Sequence, residues 1–303
     1  MKQKILPLLC VCLMTALLLA PCVHAITPLE PDAGCSLTLT YQKEGVAFPD
    51  LHISLYRVAQ AFPDGTFGLI APYSGYPVNI HGITDQAQWK HAAATLSAYL
   101  AADGVTPDRE VYTDAEGIAC LEGLQTGLYL VREVLAENEK GQYFFDQFLI
   151  YLPTMQADGT YCYDMEARPK CVDFIPKSQY TVTKLWRDNG NTQARPSQVR
   201  IDICKDGVLQ QTQVLSAANN WSYTWQVLDK EPGLWTVVER DVPQGYQVTV
   251  QQSGNAFSVI NTRQAQPSTP ETGDTFHPLP WVLTMCISGI LILALGIYLR
   301  RKA

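Results

Sequence analysis

Three polar residues near the C-terminal end of the strand-rich part of the chain stand where strand alternation calls for apolar ones. Lys184 alternates with Tyr180, Val182 and Trp186, Glu239 with Trp235 and Val237, and Asn261 with Phe257 and Val259. Residues two apart on a strand point to one face, so all three side chains are expected inside an apolar layer. A buried lone charge costs several kcal/mol unless it is paired or neutralised. One answer is a buried Lys–Glu ion pair with the asparagine hydrogen-bonded to it. The other is covalent: a desolvated lysine gives up its proton and becomes a nucleophile, while a desolvated carboxyl stays protonated at neutral pH. Glu239 would then polarise the Asn261 side-chain carbonyl and pass on a proton as ammonia leaves. The product is a Lys184–Asn261 amide, made once and without an external substrate.

The elements that must position these residues read as strands. Short alternating runs such as Leu37/Leu39/Tyr41, Ile53/Leu55 and Leu128/Leu130 are separated by Gly, Asp, Asn and Pro, the pattern of antiparallel sandwiches. One segment differs: Trp89, Ala92, Ala93, Leu96, Tyr99 and Leu100 recur at helical spacing between Thr84 and Ala102, with Thr84 or Asp85 as N-cap. The pattern breaks around Pro169, Lys170, Pro176 and Lys177, and strands resume at Tyr180. The fold class expected is therefore all-β, two tandem sandwiches over 36–174 and 180–263, the first with an inserted helix. Residues 264–280 are rich in Pro, Thr and Gln and are expected to form an extended linker.

Both ends of the sequence carry targeting features. Residues 1–25 combine Lys2 and Lys4, an apolar run from Ile5 to Ala20 and the ending Val23-His24-Ala25, which reads as a signal peptide cleaved after Ala25. A lipobox through Leu19-Ala20-Pro21-Cys22 is the alternative, with Pro21 where a small residue is needed. Residues 281–299, from Trp281 to Leu299, are an uncharged run of 19 residues, long enough for a transmembrane helix. Arg300, Arg301 and Lys302 follow it and assign the tail 300–303 to the cytoplasm. The order of Thr269-Pro270-Glu271-Thr272-Gly273, apolar span and basic tail resembles a sortase sorting signal of the LPxTG kind, with Thr269 in place of leucine. That resemblance implies cleavage between Thr272 and Gly273, transfer of the threonyl carbonyl to an amine of the peptidoglycan cross-bridge, and a secreted, wall-anchored product.

A second resemblance falls on residues 180–263. Val182-Thr183-Lys184-Leu185-Trp186, Asn220-Trp221-Ser222-Tyr223-Thr224-Trp225, Trp235-Thr236-Val237-Val238-Glu239, Val242-Pro243-Gln244-Gly245-Tyr246 and Phe257-Ser258-Val259-Ile260-Asn261-Thr262 resemble the Cna B-type domain of Gram-positive surface proteins. This implies an immunoglobulin-like sandwich in which Lys184 and Asn261 form an intramolecular isopeptide bond and Glu239 is the catalytic acid. Residues 36–174 resemble the Cna B-like domain of pilin backbone subunits, through Leu51-His52-Ile53-Ser54-Leu55-Tyr56-Arg57-Val58-Ala59, Gly127-Leu128-Tyr129-Leu130-Val131-Arg132-Glu133 and Phe148-Leu149-Ile150-Tyr151-Leu152-Pro153. Here Glu133 is in phase with Tyr129 and Val131, but Tyr41 fills the lysine position and Tyr163-Asp164-Met165-Glu166-Ala167 offers no asparagine. No cross-link is expected in this domain. Lys43 is either a substitute nucleophile or a solvated strand end. The segment Tyr161 to Lys170 has the spacing of the pilin lysine motif and keeps Pro169 and Lys170, so Lys170 is either the acceptor of a second subunit or a solvated linker lysine.

Other chemistry finds little support. A net charge of −7 argues against a nucleic-acid partner. Of nine cysteines, Cys35, Cys120, Cys162, Cys171 and Cys204 lie between signal and span, an odd number that leaves at least one unpaired in the chain and leaves the pairing open. No Cys-x-x-Cys or His-x-x-x-His spacing points to a metal, and the five histidines are scattered without a nucleophile–base arrangement. Thr84-Asp85-Gln86-Ala87-Gln88-Trp89 is similar to the glutamine segment of thioester adhesins, but a helix start accounts for it. Trp221, Tyr223 and Trp225 form a cross-strand aromatic stripe or a sugar platform. Two functions remain, neither with a cofactor: a pilin-like subunit or wall-anchored stalk with sortase, peptidoglycan and other subunits as partners, and a monomeric wall-anchored adhesin whose first domain binds a host or cell-surface ligand.

Overall fold

Alternation is visible residue by residue in the first strand: Cys35–Thr40 buries every second side chain. The computed structural model describes residues 29–30, 33–62, 66–175, 177, 179–227 and 233–263. The signal segment 1–25, the linker 264–280 with Thr269, Pro270, Glu271, Thr272 and Gly273, the apolar span 281–299 and the tail 300–303 lie outside them. Among the described residues no helix is long and apolar enough to cross a membrane.

Cys35–Thr40 lies between Ile118–Leu124, antiparallel, and Asp164–Ala167, parallel. Against it packs a second sheet in the order Phe148–Leu152, Gly127–Val131, His52–Ala61, Phe67–Leu69. Leu37, Leu39, Ile53, Leu55, Tyr129 and Val131 meet between the two sheets in one core. Every residue of Gly127–Val131 is buried, because the second sheet is covered on its other face as well. The cover is the helix, Gln86–Ala102, whose N-cap Asp85 accepts from the Gln88 N–H at 2.8 Å. The Gln88 side chain in turn accepts from the Thr84 N–H at 3.2 Å, so these polar residues close a helix start.

Residues 179–263 form two further sheets. One runs Ser222–Gln226, Gln179–Arg187, Ala256–Arg263, Tyr246–Ser253, and the other Val208–Ser216, Gln198–Lys205, Trp235–Glu239. The opening strand, Gln179–Arg187, and the closing strand, Ala256–Arg263, are parallel neighbours, with Lys184 beside Val259 and Trp186 beside Asn261. The aromatic stripe packs on the core: buried Trp225 stacks on Tyr180 at 5.6 Å and on Phe257 at 6.1 Å between ring centres, and half-buried Trp221 meets Trp186 edge-on at 5.7 Å.

The helix joins the two halves. Its Ala93, Leu96, Tyr99 and Leu100 share one core with Tyr56, Val58, Leu128 and Leu130 on one side and with Val237, Val238, Val248 and Val250 on the other. The described residues up to Arg263 accordingly cluster as one compact unit. The five described cysteines are all free thiols, Cys35 and Cys204 buried and Cys120 exposed.

Candidate functional site

The strand phase that singled out Lys184, Glu239 and Asn261 brings them together. Lys184 and Asn261 come from adjacent parallel strands of one sheet, Glu239 from the facing sheet, so the three side chains meet across the sandwich interior. The Lys184 and Glu239 side chains are wholly buried, with Nζ 3.4 Å from Oε2. Asn261, also wholly buried, donates through Nδ2 to Glu239 Oε1 at 2.9 Å. Lys184 lies beside Val259, two residues short of Asn261 on the neighbouring strand. The amine donates to the main-chain carbonyls of Leu185 at 3.0 Å and Val259 at 3.2 Å and lies 4.3 Å from the centre of the Trp186 ring.

Burial dominates the electrostatics. Desolvation lowers the Lys184 pKa to about 8, against the pull of the neighbouring Glu239. The same desolvation raises the Glu239 carboxyl, partly opposed by Lys184 and the Asn261 amide. Both shifts favour the uncharged pair, a free amine and a carboxylic acid. Glu239 Oε2 and Asn261 Oδ1 are buried without a hydrogen-bond partner; a protonated carboxyl carries a donor, and an amide oxygen is an acceptor for it.

Sequence reasoning missed what closes this pocket. Asp188, just past the opening strand, accepts from Arg195 Nε and Nη2 at 2.7 Å each and from the Tyr246 hydroxyl at 3.0 Å. The guanidinium holds the Asp188 carboxyl well below the usual carboxylate range. Arg195 also lies 5.7 Å from the Trp186 ring centre and Tyr246 packs edge-on against that ring at 5.4 Å. Trp186, the roof of the lysine pocket, is thereby fixed from outside. Asp188 and Tyr246 are far apart in sequence, so no local pattern signals their contact.

Among the described residues of the first half no such arrangement occurs. Tyr41 is buried in the lysine position and packs edge-on against Phe145 at 4.9 Å. Glu133 does not continue the phase of Tyr129 and Val131: its strand ends at Val131, and the carboxylate turns to the helix, where it accepts from the Ser97 hydroxyl and lies 3.6 Å from Arg132 Nε. Lys43 pairs with Asp173 and lies 4.8 Å from the centre of the Tyr143 ring, the fate of a surface strand end. Lys170 is exposed, and its main-chain carbonyl accepts from the Asp146 N–H at 3.0 Å. Among the described residues no cluster of His, Cys, Asp and Glu is arranged to hold a metal ion.

Comparison with known proteins gives a family match on the half that carries the triad. Residues 180–262 match the family described as the Cna protein B-type domain. The collagen adhesin of Staphylococcus aureus is 29% identical over 100 residues, which is 31% of this chain and 8% of that protein. The chain thus spans less than a tenth of the curated relative it matches. Among solved structures, a single B repeat unit of the collagen-binding surface protein of Staphylococcus aureus is similar at 16% identity and a TM-score of 0.27, over 77% of this chain and 99% of that one. The full-length major pilin SpaD of Corynebacterium diphtheriae is similar at 14% identity and a TM-score of 0.32, over 78% of this chain and 65% of that one.

Proposed function

We propose that this chain is a structural protein of the Gram-positive cell surface, a pilin-like subunit or wall stalk, whose second domain is reinforced by an isopeptide bond between Lys184 and Asn261. The observation that carries this reading is the buried triad: an amine and a carboxamide that both meet one buried carboxyl, inside a segment that matches the Cna B-type domain. Neutral Lys184 Nζ attacks Asn261 Cγ while the Glu239 carboxylic acid donates to Oδ1. The C–N bond to Lys184 forms and the bond to Nδ2 breaks. Glu239 takes the proton released by the lysine amine and returns one to the leaving nitrogen, so ammonia departs and the acid is regenerated. The chain acts only on itself and needs no cofactor. Sorting by a sortase at Thr272–Gly273 and attachment to a peptidoglycan cross-bridge complete the reading, supported by the order of motif, apolar run and basic tail.

A monomeric wall-anchored adhesin is the second reading, favoured by the identity shared with a collagen adhesin; its first domain would bind a host or cell-surface ligand. Intact mass of reduced residues 26–263 tests the shared core of both. The wild-type chain is expected to be lighter than its sequence by one ammonia and Glu239→Ala to have full mass. Full mass in both would leave an ordinary buried ion pair and remove the reinforcement.

A further inference from the structure

The two sheets of the second domain each end, on one flank, in an edge strand, Trp235–Glu239 and Tyr246–Ser253. Edge strands present unpaired main-chain groups that must be met from elsewhere. On this flank the partner is the first half. The Val248 N–H donates to the Pro77 carbonyl at 2.7 Å, the Val250 N–H to Thr95 Oγ1 at 2.8 Å, and the Tyr99 hydroxyl donates to the main-chain carbonyl of Glu239 at 2.6 Å. The Glu239 carbonyl is open to this contact for a reason of ladder geometry. Arg240 N–H bonds the Arg200 carbonyl on the neighbouring strand, and in an antiparallel ladder the residue beside such a pair turns its own polar groups away from that neighbour.

Tyr99 is itself held. It is buried, and its ring lies 4.9 Å from that of Tyr76, whose hydroxyl donates to Asp103 at 3.0 Å. Arg240, the residue after Glu239, bridges Asp202 at 2.6 Å in its own domain and Asp103, the helix C-cap, at 2.5 Å. The strand end that carries the acid is therefore fixed from the helix side at two successive residues, while its side chain enters the Lys184 pocket.

We infer that Tyr99 is a positioning residue for the cross-linking reaction: it fixes the Glu239 main chain from outside the domain, so the Lys184–Asn261 bond forms only once the helix of the first half has docked. The inference rests on the isopeptide reading and adds an order of events to it. The first half is assembled on the second before the second is locked, and a chain with its helix undocked stays uncross-linked.

The test follows the loss of ammonia with time, by intact mass after a short pulse of cell-free synthesis of residues 26–263. Tyr99→Phe keeps the ring and removes the donor; it is expected to slow conversion about tenfold, the rate equivalent of an ordinary hydrogen bond. Thr95→Val removes the corresponding bond one helical turn away, on the other edge strand and not on the strand that carries the acid, and is expected to convert at the wild-type rate. Wild-type kinetics in Tyr99→Phe, or equal slowing in both variants, would overturn the positioning role while leaving the cross-link intact. A wild-type chain that never loses ammonia would instead overturn the isopeptide reading and this inference with it.

Discussion

At the residue scale the decisive quantity is the cost of keeping Lys184 charged. A carboxylate 3.4 Å away would stabilise an ammonium, yet complete burial wins and moves the pKa from 10.5 to about 8. This has a measurable sign. In an Asn261→Ala chain, which cannot cross-link, the unfolded state binds more protons than the folded state between about pH 8 and 10.5. Stability should therefore rise with pH across that window and be lost as pH falls through it, by about 3 kcal/mol in all. The denaturant midpoint of Asn261→Ala, compared with Lys184→Met/Asn261→Ala to remove other titrations, reads this directly. A difference that falls with pH would mean that ion pairing, not desolvation, governs the site.

At the element scale the helix is both the outer cover of one sheet and the edge cover of another sandwich, and its C-terminal end sets a close contact. The turn Asp206–Gly207 joins Gln198–Lys205 to Val208–Ser216 with both residues at positive φ, 52° and 81°. A Cβ on Gly207 would lie 2.9 Å from the Ala101 carbonyl oxygen, main chain that has no side-chain freedom to yield. Gly254 has a similar φ of 60° and nothing within 4 Å. Gly254→Ala therefore carries conformational strain alone, about 1 kcal/mol, whereas Gly207→Ala adds a clash with the helix end. Thermal melts should show the larger drop in midpoint for Gly207→Ala; equal drops would mean that the helix end yields freely against this turn.

At the scale of the whole molecule, the proposed bond joins the strand that enters the second domain to the strand that leaves it. Tension applied through the chain ends would pass across Lys184 and Asn261 instead of shearing the ladder between them. Single-molecule extension of the folded part should then show no contour-length gain from the residues between these two, and a full gain in Lys184→Ala. Polymerisation is a separate question, posed by the exposed Lys170. In a sortase-bearing Gram-positive host, a pilin-like subunit is expected to give a ladder of sizes that survives boiling in detergent and disappears in Lys170→Ala. A single band in both would favour the stalk or adhesin.

The sequence by itself determined whatever depends on near neighbours. Period-two alternation places Lys184, Glu239 and Asn261 on inward faces and helical spacing marks Thr84 to Ala102; of the two cap residues the sequence offers, Thr84 and Asp85, the helix begins one residue after Asp85. Glu133 marks the limit of that logic, since a phase carried on from Tyr129 and Val131 ceases to apply once the strand has ended. Only the tertiary structure decided that the helix serves both halves, that Tyr99 reaches the Glu239 carbonyl, and that Arg195, Asp188 and Tyr246 close over Trp186. The Tyr99–Glu239 contact alone joins residues 140 apart in the chain. Side-chain phase is dictated by the backbone within a few bonds, whereas the partner of an exposed edge or a buried charge depends on which surfaces meet when the sheets and helix pack.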